Sequence, residues 1–201
     1  MDLQAEFGGI DIYLFDQLQR GRIAPGMRVC DAGCGGGRNL VYLLRNGFVV
    51  CGNDSDPNAV AQVRAMAAAI APDAKPDFRV EPIEQTSFAD GHADVVLMSA
   101  VLHFARDAAH FEAMLRAGWR VLRPGGLFFA RLASTIGIED QVSASAAEGR
   151  FRLPDGSDRY LVDAAGLLDW TRRLGGELAD PLKTTLVHEQ RSMTTWVMHR
   201  R

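Results

Sequence analysis

The sequence predicts an α/β protein: a single doubly wound, mostly parallel sheet, with a helix before it and an antiparallel hairpin at its C-terminal end. Three observations carry this. Short apolar runs alternate with segments of helical period from residue 27 to residue 130. The first run ends in a glycine-rich turn, Gly33-Cys34-Gly35-Gly36-Gly37, of the kind a tight strand-to-helix connection needs. The last two β-rich runs, Lys183 to His188 and Ser192 to His199, are joined by Glu189-Gln190-Arg191.

Ahead of the sheet, Ile10, Leu14 and Leu18 fall four apart, Phe7 lies one turn earlier, and Gly21 closes the pattern, so residues 1–24 are expected to form a helical cap. Pro25-Gly26 turn the chain into the first strand. After the glycines, Leu40, Leu43 and Leu44 mark one helical face, stopped by Gly47. Phe48 to Gly52 is apolar throughout, as a central parallel strand should be. Asp56 is placed to cap the next helix with Pro57 at its first position; Val60, Val63, Ala67 and Ile70 face inward. Phe78 to Val80 and Ala93 to Ser99 are the third and fourth strands. Asp107 caps a helix carrying Phe111, Leu115, Gly118 and Leu122, and Leu127 to Ala130 is the fifth strand. Residues 134–160 then break the alternation with a polar insertion containing the turn signal Leu153-Pro154-Asp155-Gly156-Ser157. Insertions of that length are functional or disordered. Asp163 caps a last helix through Leu167, Leu168 and Leu174. With no repeat and no linker, residues 1–201 are expected to form one domain.

Composition narrows the function. The 201 residues suffice for a sizeable core, and 47% hydrophobic with 23% charged is ordinary globular usage. A net charge of −3 and a pI near 5.9 give no basic field for nucleic acid or an anionic membrane. No basic-then-apolar leader opens the chain and no run approaches a membrane span, so a cytoplasmic protein is expected. Cys30, Cys34 and Cys51 are odd in number and lie in or beside strand-like runs, which favours buried reduced thiols over a disulfide or a metal site.

The glycine turn indicates a nucleotide-like ligand held against bare backbone. A dinucleotide fingerprint would place its third glycine at position 38, where this chain has Arg38. Asp31-Ala32-Gly33-Cys34-Gly35-Gly36-Gly37-Arg38-Asn39 instead resembles the first motif of class I S-adenosylmethionine-dependent methyltransferases. The Gly-Arg-Asn ending, with Tyr42-Leu43 and Asn46-Gly47-Phe48, is most similar to the tellurite-resistance type methyltransferase group. The resemblance covers about residues 25–132 and, more loosely, the final hairpin. It implies a Rossmann-like methyltransferase fold of seven strands in the order 3-2-1-4-5-7-6, with S-adenosylmethionine as cofactor. The reaction implied is transfer of its methyl group to a small-molecule nucleophile, releasing S-adenosylhomocysteine.

The same resemblance assigns residues. Asp31 would help to hold the amino group of the methionine moiety, directly or through water; read alone, it fixes the turn by accepting backbone N–H bonds. Gly33, Gly35 and Gly37, with Cys34 and Asn39, would form the ligand turn. Asp54, at the second strand's tip, can accept both ribose hydroxyls, with Ser55 beside it; Asn53 and Asp56 are rivals, Asp56 better suited to capping. The third strand departs from the family pattern, since Pro82 has no N–H. Glu81 would there accept from the adenine amino group and Ile83 supply an N–H and an apolar contact. Ser99 and Ala100 would lie against the methionine part. His103 is either a general base or substrate contact, or a residue packed beside Phe104 with local hydrogen bonds. His110 is expected on the surface. Arg131 interrupts an apolar run and needs either a carboxylate partner or an anionic or carbonyl-bearing acceptor.

A sulfonium methyl is already electrophilic, so such a protein mainly aligns the reacting atoms and excludes water, and no acid–base cluster is required. The N-terminal helix and the insertion are candidates for the acceptor lid. Two other classes share much of the pattern: an NAD-type oxidoreductase, disfavoured by Arg38, and a catalytically silent cofactor-binding protein.

Overall fold

The computed structural model describes residues 2–145, 148–188 and 190–201. Met1, Glu189 of the expected hairpin link, and residues 146–147 of the insertion lie outside the described residues. The N-terminal segment forms two helices, α1 (Leu3–Phe7) and α2 (Ile12–Gln19), where the pattern suggested one. Gly8, at φ +62°, breaks them apart. Strand β1 (Arg28–Ala32) leads through the glycine turn to α3 (Val41–Arg45), then β2 (Val49–Asp54), α4 (Pro57–Ile70), β3 (Asp77–Val80) and β4 (Ala93–Ser99). Helix α5 (Ala108–Val121) runs straight into the long β5 (Leu122–Ser134). The caps are those expected: Asp56 accepts from Asn58 N–H, and Asp107 from His110 N–H.

The insertion is not a bare loop. It folds into a small antiparallel sheet, β6 (Ser143–Ala144), β7 (Arg150–Arg152) and β8 (Asp158–Tyr160). Ala133, Leu153 and Leu161 form its own apolar cluster at the end of β5, which explains why so polar a stretch is ordered. The chain then makes α6 (Ala164–Arg173), β9 (Gly176–Leu178), β10 (Lys183–Val187) and β11 (Arg191–Arg200).

The main sheet runs β3-β2-β1-β4-β5-β11-β10, parallel through its first five strands and antiparallel at β11 and β10. That is the implied order with one addition. Short β9 pairs with the end of β11, so the sheet has eight strands rather than seven. Successive strand residues serve opposite faces. Val96, Met98, Phe128 and Ala130 pack with Phe111, Leu115 and Leu167 of α5 and α6. Val95, Leu97, Leu127 and Phe129 pack with Leu14, Leu43, Val60 and Val63 of α2, α3 and α4. A strand buried on both faces has no polar position, and this is why these runs are uniformly apolar. Buried Trp196 satisfies its indole N–H on Thr171 Oγ1 at 3.0 Å.

Candidate active site

Parallel strands in this order leave a crevice at the carboxyl ends of β1 and β4, where the sheet reverses direction of winding. Three connected spaces lie there. A cleft of about 480 Å³ is walled by Gly33, Asp54, Ser55, Ile83, Glu84 and Ala100, among others. A shelf of about 420 Å³ over the glycine turn is bounded by Cys34, Gly35, Asn39 and Ser99. A second cavity, about 370 Å³, lies on the other side. Ala100 borders all three. It leaves β4 at φ +60°, a backbone state unusual for a residue with a Cβ, and is pinned there by its N–H bond to the Arg131 carbonyl at 2.7 Å.

The glycine turn is held from outside itself. Gly33 and Cys34 N–H donate to the Asn53 carbonyl, and Gly35 N–H donates to Asp54 Oδ2 at 2.9 Å. The glycines do not share one role. A Cβ on Gly35 (φ +51°) would meet nothing within 4 Å, so this backbone faces open space. A Cβ on Gly37 would lie 2.6 Å from Val63 Cγ2 and Met66 Cε, so Gly37 lets α4 pack close, and it does not border any of the three spaces. Gly33 borders the cleft but is crowded by Val101. Cys34 borders the shelf; all three thiols are free and buried, and burial pushes the Cys34 thiol up.

Asp31 is 2% exposed, yet its carboxylate accepts no hydrogen bond from any described residue. The turn-fixing role belongs to Asp54. Burial lifts the Asp31 carboxyl to about 7; Arg38 pulls it down and Asp54 pushes it further up. Among the described residues no cation stands at ion-pair distance from this carboxylate, Arg38 acting on it only from farther off. Asp54 Oδ1 accepts from Asp56 N–H at 3.0 Å, which leaves each oxygen with acceptor capacity facing the cleft wall that Ser55 continues. Asn53 is fully buried and donates to the Glu81 carbonyl, and Asp56 is the α4 cap.

Two further expectations, for Glu81 and His110, are corrected. Glu81 is turned from the cleft, its carboxylate accepting from Ser87 N–H at 2.9 Å and Ser87 Oγ at 2.5 Å. Glu84, in the single helical turn that follows Pro82, is the carboxylate on the wall instead, with His110 Nε2 3.1 Å from its Oε1. His110 is therefore a cleft residue and not a surface one. Asn39 reaches the shelf, but its Oδ1 is committed to Asp11 N–H at 3.0 Å. Ser99 Oγ accepts from Arg38 Nη2 at 3.1 Å.

His103 takes the local role. Its ring lies 4.7 Å from Phe104, and its Nδ1 accepts from Ala133 N–H at 3.2 Å, so the neutral imidazole carries its proton on Nε2. Burial, then the charges of Arg159, Arg191 and Arg131, hold its pKa down to about 4. An imidazole with Nδ1 so engaged and Nε2 protonated is a hydrogen-bond donor, not a general base. Arg131 has its carboxylate: Nη1 lies 3.1 Å from Asp11 Oδ2. The Asp11 side chain is 1% exposed, also caps α2 through Tyr13 N–H, and sits 3.9 Å from Arg38. This ion pair clamps the N-terminal helices over the strand tips. Arg131 nevertheless borders the second cavity with His103. Sequence reading missed Asp11, Glu84, Arg159 and Arg191. Asp11 shows itself only as an N-cap signal before Ile12, and the other three have no local signature.

The family model described as a methyltransferase domain matches residues 30–130, half of the chain. An uncharacterized methyltransferase of Synechocystis sp. is 33% identical over 111 residues, covering 55% of this chain and 49% of that protein. A ubiquinone biosynthesis O-methyltransferase of Rhizobium etli is 32% identical over 142 residues, covering 69% and 54%. The chain thus spans about half the length of these curated relatives. Among solved structures, magnesium protoporphyrin IX methyltransferase of Synechocystis with bound S-adenosylmethionine superposes with a TM-score of 0.71 at 19% identity, covering 94% of this chain and 77% of that one.

Proposed function

The chain belongs to the methyltransferase-domain family, and on that footing we propose that it transfers a methyl group from S-adenosylmethionine to a small-molecule nucleophile, releasing S-adenosylhomocysteine. One observation carries the reading: a buried carboxylate, Asp31, with no hydrogen-bond donor or ion-pair partner among the described residues, two residues ahead of a turn whose backbone at Gly35 faces open space. An ammonium group beside Asp31 would restore its counter-charge. Asp54, with Ser55, retains the acceptor capacity a ribose diol requires. Ile83 and Glu84 would flank the base, and Gly33, Cys34, Ser99 and Ala100 the methionine part. Glu81, Gly37 and the Asn39 side chain are left to structural roles.

When bound, the cofactor supplies a methyl carbon made electrophilic by its sulfonium. An acceptor held beside Ala100 would give its lone pair to that carbon while the C–S pair passes to sulfur, and a proton carried by the acceptor would pass to bulk solvent outside the closed site. The protein's part is to fix the line of approach past Ala100 and to keep water away. Relatives named as ubiquinone biosynthesis O-methyltransferases support a small-molecule acceptor. The finer likeness to the tellurite-resistance group rests on the first motif and carries no tellurium or selenium substrate. Free buried cysteines support a reducing, cytoplasmic setting, and no helix among the described residues is long and apolar enough to cross a membrane. We read residues 1–201 as one methyltransferase domain, its helical cap (1–24) and insertion (134–160) lying on the acceptor side.

Calorimetric titration of the full chain with S-adenosylmethionine, S-adenosylhomocysteine and NAD tests the proposal. Saturable binding of the first two with none of NAD is expected; the reverse pattern would replace it with the oxidoreductase reading. Binding without methyl release across a broad metabolite panel would leave a silent binding protein.

A further inference from the structure

Resting on the methyl-transfer reading, we infer that the second cavity takes a small acceptor built from an apolar body and an oxyanion group, a carboxylate or a phosphate. The charge on its wall is one-sided: Arg38, Arg131, Arg159 and Arg191 stand against Asp155 alone. Asp155 Oδ1 is engaged by its own loop, accepting from Ser157 N–H at 2.9 Å and Ser157 Oγ at 2.6 Å, and its charge is felt by Arg191 and Arg159, so the four guanidinium groups still outnumber the one carboxylate of the wall. Among the described residues, Asp11, which pairs with Arg131 and lies 3.9 Å from Arg38, is buried and does not line the cavity.

The cations retain donors. Among the described residues, Arg159 and Arg191 have no carboxylate partner; Arg159 lies over the Phe104 ring at 4.9 Å and donates to the Asp158 carbonyl. Arg131 Nε is buried with no hydrogen-bond partner. His103 adds an Nε2–H to the same wall, its Nδ1 being engaged by Ala133. Guanidinium groups facing one half-open space repel one another, an excess that Asp11 offsets for Arg131 and Arg38 and that an incoming anion would offset for Arg159 and Arg191; their forked N–H groups suit planar or tetrahedral oxyanions. The remaining wall is apolar, formed by Phe104, Leu153, Val187 and Met193, and so selects against a bare inorganic ion. About 370 Å³ suits a molecule of metabolite size. Because Ala100 and Arg38 also border the shelf over the glycine turn, an occupant of the second cavity meets the methionine end at Ala100. The insertion earns its place in this picture: its β7–β8 turn supplies Leu153, Asp155 and Ser157, and β8 supplies Arg159.

The test titrates the full chain, saturated with S-adenosylhomocysteine, with 4-hydroxybenzoate and phenyl phosphate and with their neutral counterparts, 4-hydroxybenzamide and phenol. Each anion is expected to bind at least tenfold more tightly than its neutral counterpart. Arg159→Gln and Arg191→Gln should each lower anion affinity about tenfold, the scale of a lost hydrogen bond to a charged group, and leave S-adenosylhomocysteine affinity within about twofold. The stronger of the two anions identifies carboxylate or phosphate. Equal binding of anion and neutral probe, or no binding of either anion, overturns the inference. S-adenosylhomocysteine binding without anion discrimination strikes this inference alone. Anion binding in a chain that takes no S-adenosylhomocysteine strikes the methyl-transfer reading and leaves the anion site standing.

Discussion

Replacing Asp31 with asparagine should make the ligand-free protein more stable and the cofactor complex weaker. The Asp31 carboxyl titrates at about 7 in the folded chain, against ~3.9 when unfolded. Between those values the native state holds the extra proton, so stability declines as pH rises through the window and levels off above about 7. The full difference sets a ceiling of ~4 kcal/mol at pH 8, and relaxation and water penetration around the charge reduce this to ~2 kcal/mol. Asp31→Asn removes that penalty, and for a chain of this size the melting temperature should rise by about 4–8 °C at pH 8. At pH 4, where Asp31 is protonated in the folded chain, the two proteins should melt together. Thermal denaturation from pH 4 to pH 8 reads this directly. In the same series, S-adenosylhomocysteine should raise the wild-type melting temperature more than the variant's, with affinity lowered by about tenfold or more in the variant. Wild-type affinity should also climb through pH 7 while the variant's stays flat. A variant no more stable than wild type at pH 8, with undiminished cofactor affinity, would refute the reasoning: Asp31 would then be neither a strained charge nor a partner for the ammonium.

Three further outcomes follow from the same geometry. His103→Asn, whose amide oxygen can take over the Ala133 N–H, should retain methyl transfer within about tenfold and leave the pH–rate profile unmoved, because His103 is not the base; loss of a limb near neutrality would contradict this. Arg131→Leu strands the buried Asp11 carboxylate and should lower stability by about 3 kcal/mol in urea unfolding, with Arg131→Lys recovering part of it; an unchanged midpoint would show the pair to be idle. Gly37→Ala should destabilise by ~2–3 kcal/mol through its clash with Val63 and its left-handed backbone. Gly35→Ala meets no neighbour, so it should cost ~1 kcal/mol of stability and act chiefly on cofactor affinity; equal effects of the two on affinity would undo the division between packing and ligand glycines.

Most of the fold was legible because it rests on local physics. Apolar runs buried on both faces, Asp caps before helices and glycines after them each leave a mark within a few residues, and β1 to β5 stand where those marks put them. Two features were hidden. The strands β6, β7 and β8 are short and polar, stabilised by Leu153 and Leu161 against Ala133, a contact between segments with no shared pattern. Strand β9 forms only because β11 offers an edge beyond β10. The site divides in the same way. Asp31 and Asp54 lie at strand ends and could be read from the turn they flank. Glu81 was preferred to Glu84 because sequence gives no view of which way the chain turns after Pro82; the helical turn there carries Glu84 inward while Ser87 holds Glu81. The Arg131–Asp11 pair joins residues 120 positions apart, and the arginines of the second cavity converge from three strands and the glycine turn.

The most direct measurement is a crystal structure of the full chain with S-adenosylhomocysteine. Its amino group should lie within hydrogen-bond reach of Asp31, directly or through one water, its ribose hydroxyls on Asp54, and its sulfur beside Ala100 at the mouth of the arginine-lined cavity. A ligand bound elsewhere, or bound with Asp31 still unpartnered and the glycine turn untouched, would contradict the assignment.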